Sequence, residues 1–584
     1  MDSNYSKKYL TGMLYQKINL RKFLFIAFYY FILLIWILPA FASETAYCTG
    51  KSDNELPFDM PDLPVPEFLD HCVNISDFGA VGDGLVMNTN AFAEAIKVCA
   101  DSGGGKVIVP EGIWLTGPIQ LQSNINLHLQ KNAIIIFSDR YDDYPLIQSN
   151  WEGTHAVRCM PPIFGKNLKN IAITGEGIID GSGQAWRPVK KFKMTERQWH
   201  DLVASGGVLN QEGDIWWPSE SALNGPLRIA ELQRSGNTKE EDYKAVRAYL
   251  RPVLIGLVQC ENILFDGPTF QNSPAWNIHP LMCKKMIIRN IKVRNPWYSQ
   301  NGDGIDLESC CDVLLFNNTF DVGDDAICIK SGKDKEGRNR GIPTERVLID
   351  GCTVFHGHGG FTIGSEMSGD VRNIVVRNCT FFGTDVGLRF KSKRGRGGIV
   401  ENIYLENIFM KDIPTDAIRF NMYYESQAPI PDDGSMDLAG SQVERTYVPA
   451  GEETPCFRKI FLKNIVCRGA ERAILLQGLP EMPIRDIELE NIRISSNIGF
   501  SCIDAKHIIL KQVEIISKYE PVFSFDNSKN VIMENVMLDK ARSTLIQLKG
   551  SDTDQILMKG ENNADMFSKI EFREGAEAAA VRFE

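Results

Sequence analysis

The sequence predicts an all-β fold, a single-stranded right-handed parallel β-helix with an N-terminal capping helix. The first observation is a phrase of alternating apolar residues that ends in Asn and recurs along the chain. The second is an amphipathic helical stretch that precedes the repeats, and the third is a set of charged side chains that recur at similar intervals. Short strands repeated at a steady period are typical of a β-solenoid.

The repeated phrase is most regular in the second half of the chain. Its branched apolar residues occupy alternate positions, which share one face of a strand. Copies occur at residues 287–291, 313–318, 374–378, 403–408, 460–465, 487–492 and 531–536. An antiparallel sandwich also uses many short strands, but it seldom keeps one phrase in register so often. We expect the Asn side chains to stack in ladders inside the coil.

One amphipathic helix is predicted over residues 89–100. Its apolar face, at the helical spacing i, i+3, i+4 and i+7, consists of Phe92, Ala95, Ile96 and Cys99. A solenoid needs its terminal apolar surface covered, so we expect this helix to cap the N-terminal end of the coil.

Residues 1–42 are predicted to be a secretory signal peptide. Lysines and arginines precede an apolar run at residues 23–38, and Ala40, Phe41 and Ala42 form a small-x-small cleavage site. The run approaches the length that spans a bilayer, so an uncleaved anchor is the alternative. We expect a secreted or periplasmic protein that meets the membrane only through this segment.

The rest of the chain divides into three parts by its pattern. Residues 43–73 form a lead-in, residues 74–550 the β-helix, and residues 551–584 a charged and less periodic C-terminal extension. Residues 185–250 break the β-helix pattern with helical sequence and an aromatic cluster. We expect this insertion to lie over one side of the solenoid, where loops commonly build a binding surface.

Composition excludes some classes of partner. The 584 residues carry a formal net charge of -11, whereas nucleic-acid binding needs a basic surface. There are 14 cysteines, but no pair has the C-x-x-C spacing of a zinc site. Cys352, Cys379 and Cys467 hold equivalent positions in repeats, so we expect them to be buried packing residues more than disulfide partners.

Three carboxylates, Asp303, Asp324 and Asp325, occupy neighbouring repeats. If each coil advances by one strand spacing, equivalent side chains lie about 5 Å apart. Carboxylates this close cannot all ionise freely, so at least one pKa is expected to rise. One protonated and one ionised carboxyl group are what the hydrolysis of a glycosidic bond requires.

A histidine and two cations follow the carboxylates. His358 is bracketed by glycines one coil later, where it can hydrogen-bond a carboxyl group. Arg389 and Lys391 alternate around Phe390, so both are expected on one face while Phe390 packs inside. In an acidic protein this pair indicates recognition of a substrate carboxylate, because Arg offers a bidentate fork.

Four segments together resemble the signature of the polygalacturonase family of pectin-degrading glycoside hydrolases, glycoside hydrolase family 28, and most closely its exo-acting bacterial members. In order they read Asn-Gly-Asp at 301–303, Gly-Asp-Asp at 323–325, Gly-His-Gly at 357–359 and Arg-Phe-Lys at 389–391. The resemblance covers roughly residues 74–540 and implies a pectin-lyase-like solenoid. It departs at Gly302, where many relatives have Thr.

The resemblance implies a role for each matching residue. Asp324 is similar to the general acid, Asp303 and Asp325 to the pair that activates water, and His358 to the residue that tunes the acid. Asn301, Arg389 and Lys391 are then substrate-binding residues, the last two for the galacturonate carboxylate. The family inverts the anomeric configuration, for which a wide carboxyl separation is expected. No metal or other cofactor is implied, and the implied partner is a pectic polysaccharide or oligogalacturonide.

Exo action on α-1,4-galacturonosidic bonds is expected from the segments 272–280 and 364–369, which look like exo-acting relatives. Trp276 and His279 are then candidate pocket residues, although Trp276 could equally be packing. A hydrolase of the same family that acts on rhamnogalacturonan or another decorated pectin is an alternative. A Ca²⁺-dependent pectate lyase with Arg389 as its base, and a non-catalytic adhesin or carbohydrate-binding β-helix, are more distant alternatives.

Overall fold

The computed structural model describes residues 56–236, 239–425, 445–538, 542–560 and 566–584. The predicted signal peptide lies outside these residues. The strands wind into one 35-stranded parallel sheet in which each strand pairs with the strand one coil before and one coil after. Ile305, for example, lies between Ile278 and Ile327. The architecture is the parallel β-helix that the repeats predicted.

Each coil has three faces, here named A, B and C. Face A consists of Ile119–Gln120, Ile163–Lys166, Ile255–Val258, Ile278–Leu281, Ile305–Glu308, Ile327–Lys330, Gly359–Ile363, Val386–Lys391, Phe523–Asp526, Ile546–Lys549 and Ile570–Arg573. Face B consists of Cys72–Asn74, Gly105–Val109, Ile125–Leu129, Lys169–Gly175, Glu261–Asp266, Lys284–Arg289, Cys311–Phe316, Thr344–Asp350, Val371–Arg377, Lys529–Glu534, Asp554–Lys559 and Val581–Phe583. Face C consists of Gly112–Thr116, Ala133–Phe137, Ile178–Asp180, Thr269–Gln271, Lys292–Arg294, Thr319–Asp321, Thr353–Val354 and Thr380–Phe382.

Four longer strands connect these faces without interruption. Ile399–Asn421, Cys456–Gln477 and Ile484–Ile503 run through faces B, C and A in turn, and Ala505–Ser517 runs through B and C. Each pairs along its length with the strand one coil before it. The three faces are therefore one continuous sheet wound around a common core.

The core is filled by inward side chains that stack from coil to coil. Phe390 and Phe420 stack with centroids 4.1 Å apart at an interplanar angle of 3°. Cys352, Cys379 and Cys467 are buried free thiols, as the equivalence of their positions predicted. All cysteines among the described residues are free. The inward stacking of identical residue types follows from the parallel in-register pairing of successive coils.

The asparagine ladders form, but at the surface of the turn after face B and not inside the coil. Asn317 Nδ2 donates to Asn290 at 2.8 Å, and Asn464 Nδ2 donates to Asn407 at 3.0 Å. These residues have positive φ, which Asn tolerates better than most residues. The left-handed turn directs the amide along the solenoid axis toward the next Asn, and the expected interior position is corrected accordingly.

The helix Thr89–Asp101 buries Ala91, Phe92, Ala95, Ile96 and Cys99 against the first coil, which confirms the predicted capping helix and its apolar face. A 3-10 helix, Ile75–Phe78, packs beside it. Together they cover the apolar end of the core that the first coil would otherwise expose.

Two segments leave the coil before the middle of the chain. Strands Leu146–Trp151 and Thr154–Cys159 form an antiparallel hairpin, which the sequence analysis did not predict. The second segment has helices Glu196–Ala204, Glu220–Leu223, Gly225–Arg234 and Glu240–Tyr249, the last of 3-10 type, and an antiparallel sheet of Val189–Lys190, Val208–Leu209 and Ile215–Trp217. A small core joins the two segments, with Leu146, Val157, Trp186 and Leu232 among its members.

The remaining helices are short. Helix Asp334–Arg340 lies between faces A and B, and 3-10 turns occur at Tyr141–Asp143, Gly183–Ala185, Lys191–Lys193 and Ala578–Ala580. Among the described residues, no helix has both the length and the apolar character needed to cross a membrane.

The coil continues past residue 550, so the predicted C-terminal extension is wrong. Strand Asp554–Lys559 pairs with Lys529–Glu534 and with Val581–Phe583, and Ile570–Arg573 pairs with Ile546–Lys549. In Asp554–Lys559 only Ile556 and Met558 are buried, and in Ile570–Arg573 and Val581–Phe583 no residue is fully buried. Few buried apolar positions and many charged residues, such as Asp554 and Lys559, hid the repeat in the sequence.

Candidate active site

The acidic residues lie in turns that lead from face C into face A. Asp303 precedes strand Ile305–Glu308, Asp324 and Asp325 precede Ile327–Lys330, and His358 precedes Gly359–Ile363. Backbone hydrogen bonds fix these turns to one another, because Gly304 N donates to Asp325 O and His358 N donates to Asp324 O, both at 2.9 Å. The coil thus brings residues from successive repeats together, as the spacing predicted.

Two glycines allow these turns to pack tightly. A Cβ atom at Gly302 would lie 2.0 Å from Ser299 Oγ, and one at Gly323 would lie 2.4 Å from the same atom. Both distances are shorter than any real contact, so neither position accepts a side chain without a shift of the 296–299 turn. The departure from the family pattern at Gly302 therefore has a local cause in Ser299.

Asp325 is held by both cations of the Arg-Phe-Lys segment. Arg389 Nη1 donates to Asp325 Oδ1 at 3.0 Å and Lys391 Nζ donates to Oδ2 at 2.8 Å, with all three side chains buried. Burial pushes the pKa of Asp325 upward, but Lys391 and Arg389 outweigh it and hold the pKa well below its usual range. Asp325 is ionised in this arrangement. Phe390 between the cations packs in the core, as the alternation predicted.

Asp303 has the opposite character. It is 4% exposed, and its Oδ1 has no hydrogen-bond partner among the described residues. Burial raises the pKa of Asp303 well above its usual value, and the neighbouring Asp306 and Asp324 add to the shift. The expectation that one carboxyl group of the cluster has a raised pKa is confirmed, and the group is Asp303.

Asp324 is the most accessible of the three carboxylates, with 20% of its side chain exposed. Burial raises its pKa, but the neighbouring His358 and Lys391 outweigh this and leave the pKa of Asp324 below its usual value. The substrate-free site therefore holds Asp324 ionised, whereas the resemblance assigns the protonated role to it. Because these carboxylates interact strongly, their titration belongs to the cluster more than to any one of them.

His358 lies between two carboxylates. Its Nδ1 is 3.6 Å from Asp324 Oδ1 and its Nε2 is 3.8 Å from Asp385 Oδ2, at a half-exposed position. Asp385 comes from the next turn of the coil, where Asp385 N donates to Gly357 O. The sequence analysis missed Asp385, although it stands in the segment just before Arg389.

A buried ionic cluster adjoins the carboxylates on face A. Lys330 Nζ lies 2.9 Å from Glu366 Oε2 and 3.5 Å from Asp306 Oδ1. Burial raises the pKa of Asp306 to about 8, while burial of Glu366 is outweighed by Lys330, which lowers that pKa to about 2. Neither oxygen of Asp306 accepts a hydrogen bond from a described residue. Asp306 and Lys330 are charged residues in strands with apolar residues at alternate positions, and this pattern in the sequence could have indicated a buried ionic cluster.

The two candidate pocket residues of the sequence analysis are buried below the surface. Trp276 stacks on Trp151 of the hairpin at 5.0 Å, and Lys330 Nζ lies 4.6 Å from its ring centroid. His279 Nε2 is 2.9 Å from Glu308 Oε2. Both side chains are at most 5% exposed, so they support the ionic cluster from beneath.

Asn301 is tied to the scaffold by a buried arginine. Arg251 Nη2 donates to Asn301 Oδ1 at 2.8 Å, and Arg251 Nη1 donates to Gln300 O at 2.9 Å. From the insertion, Lys193 Nζ donates to Gly323 O at 3.2 Å, next to the acidic pair. These cations come from segments distant in sequence, so no local pattern could have indicated them.

One oxygen each of Asp324 and Asp325 and one nitrogen of His358 lie within 4.8 Å of one another, a spacing that could hold a metal ion. Asp325 is already neutralised by two cations, which weakens the attraction for a divalent ion. Asp324 and Asp325 lie close to each other because they are adjacent in one turn.

Comparison with known proteins places this arrangement in a family. Residues 188–437 match glycosyl hydrolases family 28. The hyperthermoactive exopolygalacturonase of Thermotoga maritima is 33% identical, with a TM-score of 0.61 over 74% of this chain and 89% of that chain. A probable polygalacturonase of Vitis vinifera is 28% identical over 75% of this chain and 78% of its own length. The exo-poly-alpha-D-galacturonosidase of Dickeya chrysanthemi is 27% identical over 70% of this chain and 65% of its own length.

The family 28 exopolygalacturonase of Yersinia enterocolitica is 22% identical to this chain. It shares the fold, with a TM-score of 0.59 over 79% of this chain and 78% of that chain. The four sequence segments, the parallel β-helix and these matches agree with one another. The chain is a glycosidase and belongs to glycosyl hydrolases family 28.

Proposed function

We propose that the chain is an exo-acting polygalacturonase that hydrolyses α-1,4-galacturonosidic bonds of pectin by an inverting acid–base mechanism. The observation that carries the proposal is the carboxylate cluster, in which Asp325 is held ionised by two buried cations while burial raises the pKa of Asp303 well above its usual value. Groups with opposed pKa shifts at one site are the arrangement that acid–base hydrolysis needs. The names of the relatives given above supply the substrate class.

Asp324 is the proposed general acid, because it is the carboxyl group with access to a bound glycosidic oxygen. The pKa of Asp324 lies below its usual value, whereas that of Asp303 is raised. A galacturonate carboxylate that enters the cleft adds negative charge and displaces water, and both effects raise the pKa of Asp324. With a proton on Asp324, Asp303 and Asp325 are the proposed pair that activates water, and His358 is proposed to tune the proton affinity of Asp324.

Arg389 and Lys391 have two proposed roles. Both hold Asp325 ionised, because each donates a hydrogen bond from a cationic group to one of its carboxylate oxygens. Only Nη1 of Arg389 donates to Asp325 among the described contacts, so its other guanidinium N–H groups can donate to a galacturonate carboxylate. Asn301 is proposed to bind substrate in the same turn, while Trp276 and His279 are proposed to act through the buried cluster.

Exo action is proposed because chain segments cross face A on both sides of the carboxylates. On one side, Trp151 of the hairpin covers Trp276, and Arg340 bonds Glu308 beneath it. On the other side, Arg445 and Thr446 lie against face A, where Arg445 pairs with Asp504 and Arg394 donates to Thr446 O at 3.0 Å. A cleft closed in this way admits a chain end more readily than the middle of a polymer.

Product analysis tests the proposal. The mature protein, residues 43–584, is incubated with polygalacturonate with and without chelator, and products are separated by thin-layer chromatography, with Asp324→Asn as the inactive control. Monomeric galacturonate that accumulates from the start and is indifferent to chelator is the expected result. A ladder of oligomers contradicts exo action but keeps the hydrolase, and no release from this polymer directs the assay to rhamnogalacturonan.

The spacing of Asp324, Asp325 and His358 gives one observation in favour of a metal-dependent lyase. A lyase would make an unsaturated product that absorbs ultraviolet light and would stop with chelator. The cations on Asp325 favour the hydrolase. Export is a separate proposal from the basic, apolar and small-x-small order of residues 1–42, and N-terminal sequencing of the exported protein tests whether it begins near residue 43.

A further inference from the structure

Four apolar side chains stand exposed on neighbouring strands of face C. Phe355, Phe382, Phe409 and Val466 are 44, 36, 52 and 41% exposed, respectively. Single exposed apolar residues are ordinary on a protein surface, but a contiguous group is typical of an interaction site. These four side chains do not contribute to the core of the coil, because residues such as Phe381 fill the inward positions beside them.

The strand register places these residues in two outward rows. Thr380 lies opposite Phe409 and Phe382 opposite Lys411, while Phe409 lies opposite Val466 and Lys411 opposite Arg468. The Phe355 and Phe382 rings stack at 5.7 Å with an interplanar angle of 15°. One row therefore reads Phe355, Phe382, Lys411 and Arg468 along the solenoid axis, and the adjacent row continues with Phe409 and Val466.

This aromatic–basic strip, formed by Phe355, Phe382, Phe409, Val466, Lys411 and Arg468, contains two cations on a chain with net charge -11. Lys411 and Arg468 are both exposed. Acidic residues also lie near: Lys411 pairs with Asp412 at 3.2 Å, and Asp321, one coil before Phe355, contacts His356 at 2.9 Å. In the row that begins with Phe355 and Phe382, the next two residues along the solenoid axis are Lys411 and Arg468.

We propose that the aromatic–basic strip is a second binding site for the anionic polysaccharide, outside the catalytic cleft. Aromatic rings offer flat apolar faces to the C–H faces of sugar rings, and Lys and Arg pair with uronate carboxylates. Successive positions in a row are about 4.8 Å apart, so the strip contacts several sugar units of a chain that runs along the axis. The inference rests on the proposed function, since both sites take the same polymer.

The strip also lies on the same coils as the active site. Phe355 is followed in the same turn by His358, and Phe382 precedes Asp385 in the next turn. A polymer bound to the strip on face C therefore lies next to the turns between faces C and A that carry the carboxylates. The expected effect is on the capture of long chains, while turnover of short oligomers that reach only the cleft is independent of it.

Two double variants test the strip, Phe355→Ala with Phe382→Ala and Lys411→Gln with Arg468→Gln. Matched controls are Ile516→Ala, an exposed apolar residue on face C two coils beyond Arg468, and Lys97→Gln with Lys131→Gln, exposed cations near the N-terminal cap. Each is placed in the Asp324→Asn background, and retardation is measured in native gels that contain polygalacturonate or dextran. In the active background, kcat/KM is compared on polygalacturonate and on trigalacturonate.

We expect both strip variants to bind polygalacturonate about three- to tenfold more weakly than their controls, as the loss of two aromatic contacts or of two exposed charge contacts allows. The basic variant should also show a weaker dependence of retardation on salt. Turnover of trigalacturonate should be unchanged. Equal retardation of variants and controls overturns the proposal even if the enzyme hydrolyses galacturonan. If the strip variants are retarded less than their controls but the parent does not hydrolyse galacturonan, the second binding site is supported and the proposed function is wrong.

A second copy of the chain is the other occupant that the experiment distinguishes. Sedimentation of the parent and of both strip variants is measured without polysaccharide. A dimer that dissociates in the strip variants, with retardation in polygalacturonate unchanged, assigns the strip to an interface and overturns the polysaccharide site.

Discussion

Asp306→Asn should stabilise the protein, and the gain should grow as the pH rises. Asp306 is fully buried, and neither of its oxygens accepts a hydrogen bond from a described residue. Lys330 Nζ is closer to Glu366, at 2.9 Å, than to Asp306, at 3.5 Å, so Glu366 is the ionised partner. Asn resembles the protonated form of Asp306 in shape and charge, and it does not titrate.

The size of the effect follows from the pKa of the buried group. Burial raises the pKa of Asp306 from 3.8 to about 8. Because the folded state keeps a proton that the unfolded state releases, stability is lost as the pH rises from about 4 to about 8. The full shift corresponds to about 6 kcal/mol at 1.36 kcal/mol for each pKa unit. Local relaxation and water penetration offset part of it, so we expect a gain of about 2–3 kcal/mol at pH 8.

The assay is denaturant unfolding at several pH values between 4 and 8. Asp306→Asn and the parent should have similar midpoints near pH 4, and the variant should be more stable at pH 8. Asp412→Asn, an exposed carboxylate with 71% of its side chain accessible, is the matched control and should show no such trend. If Asp306→Asn is less stable than the parent at pH 8, Asp306 is ionised and paired with Lys330, and the reasoning is refuted.

Three other predictions concern the reaction. Asp324→Asn should lower kcat by at least about a thousandfold with an unchanged unfolding midpoint, and near-normal hydrolysis would reject Asp324 as the acid. Lys391→Met should raise the pKa of Asp325 and reduce kcat more than it raises KM, whereas a rise in KM alone would mean that Lys391 only binds substrate. Proton NMR of the first product should show the β-anomer, and an initial α-anomer would indicate retention.

The sequence predicted those parts of the fold and site that depend on local period. Alternation around Phe390 placed Arg389 and Lys391 on one face, and the repeats placed Asp303 one coil before Asp324. Both follow from backbone geometry, because parallel coils in register carry a local pattern into three dimensions without change. The raised pKa within the cluster followed from the number of carboxylates alone.

The parts that escaped prediction depend on which side chains meet across coils or across loops. Asp325 pairs with cations two coils away, and this choice of partner reversed the effect of burial on its pKa. Arg251 reaches Asn301 from outside the repeats, and the hairpin places Trp151 over Trp276. Such contacts are set by tertiary packing, which neither residue period nor motif spacing encodes.

The hydrogen bonds between successive turns limit how chain length can change near the active site. Gly304 N donates to Asp325 O, and Ile305 N donates to Ala326 O, so each turn is aligned with the next by its backbone. One residue added within a strand would exchange its inward and outward side chains and expose the apolar stack. One complete coil added beyond Ile399–Asn421 would preserve every pairing and leave the carboxylates in place. The solenoid can therefore gain or lose residues in whole coils. Smaller insertions or deletions are accommodated in loops such as 185–250.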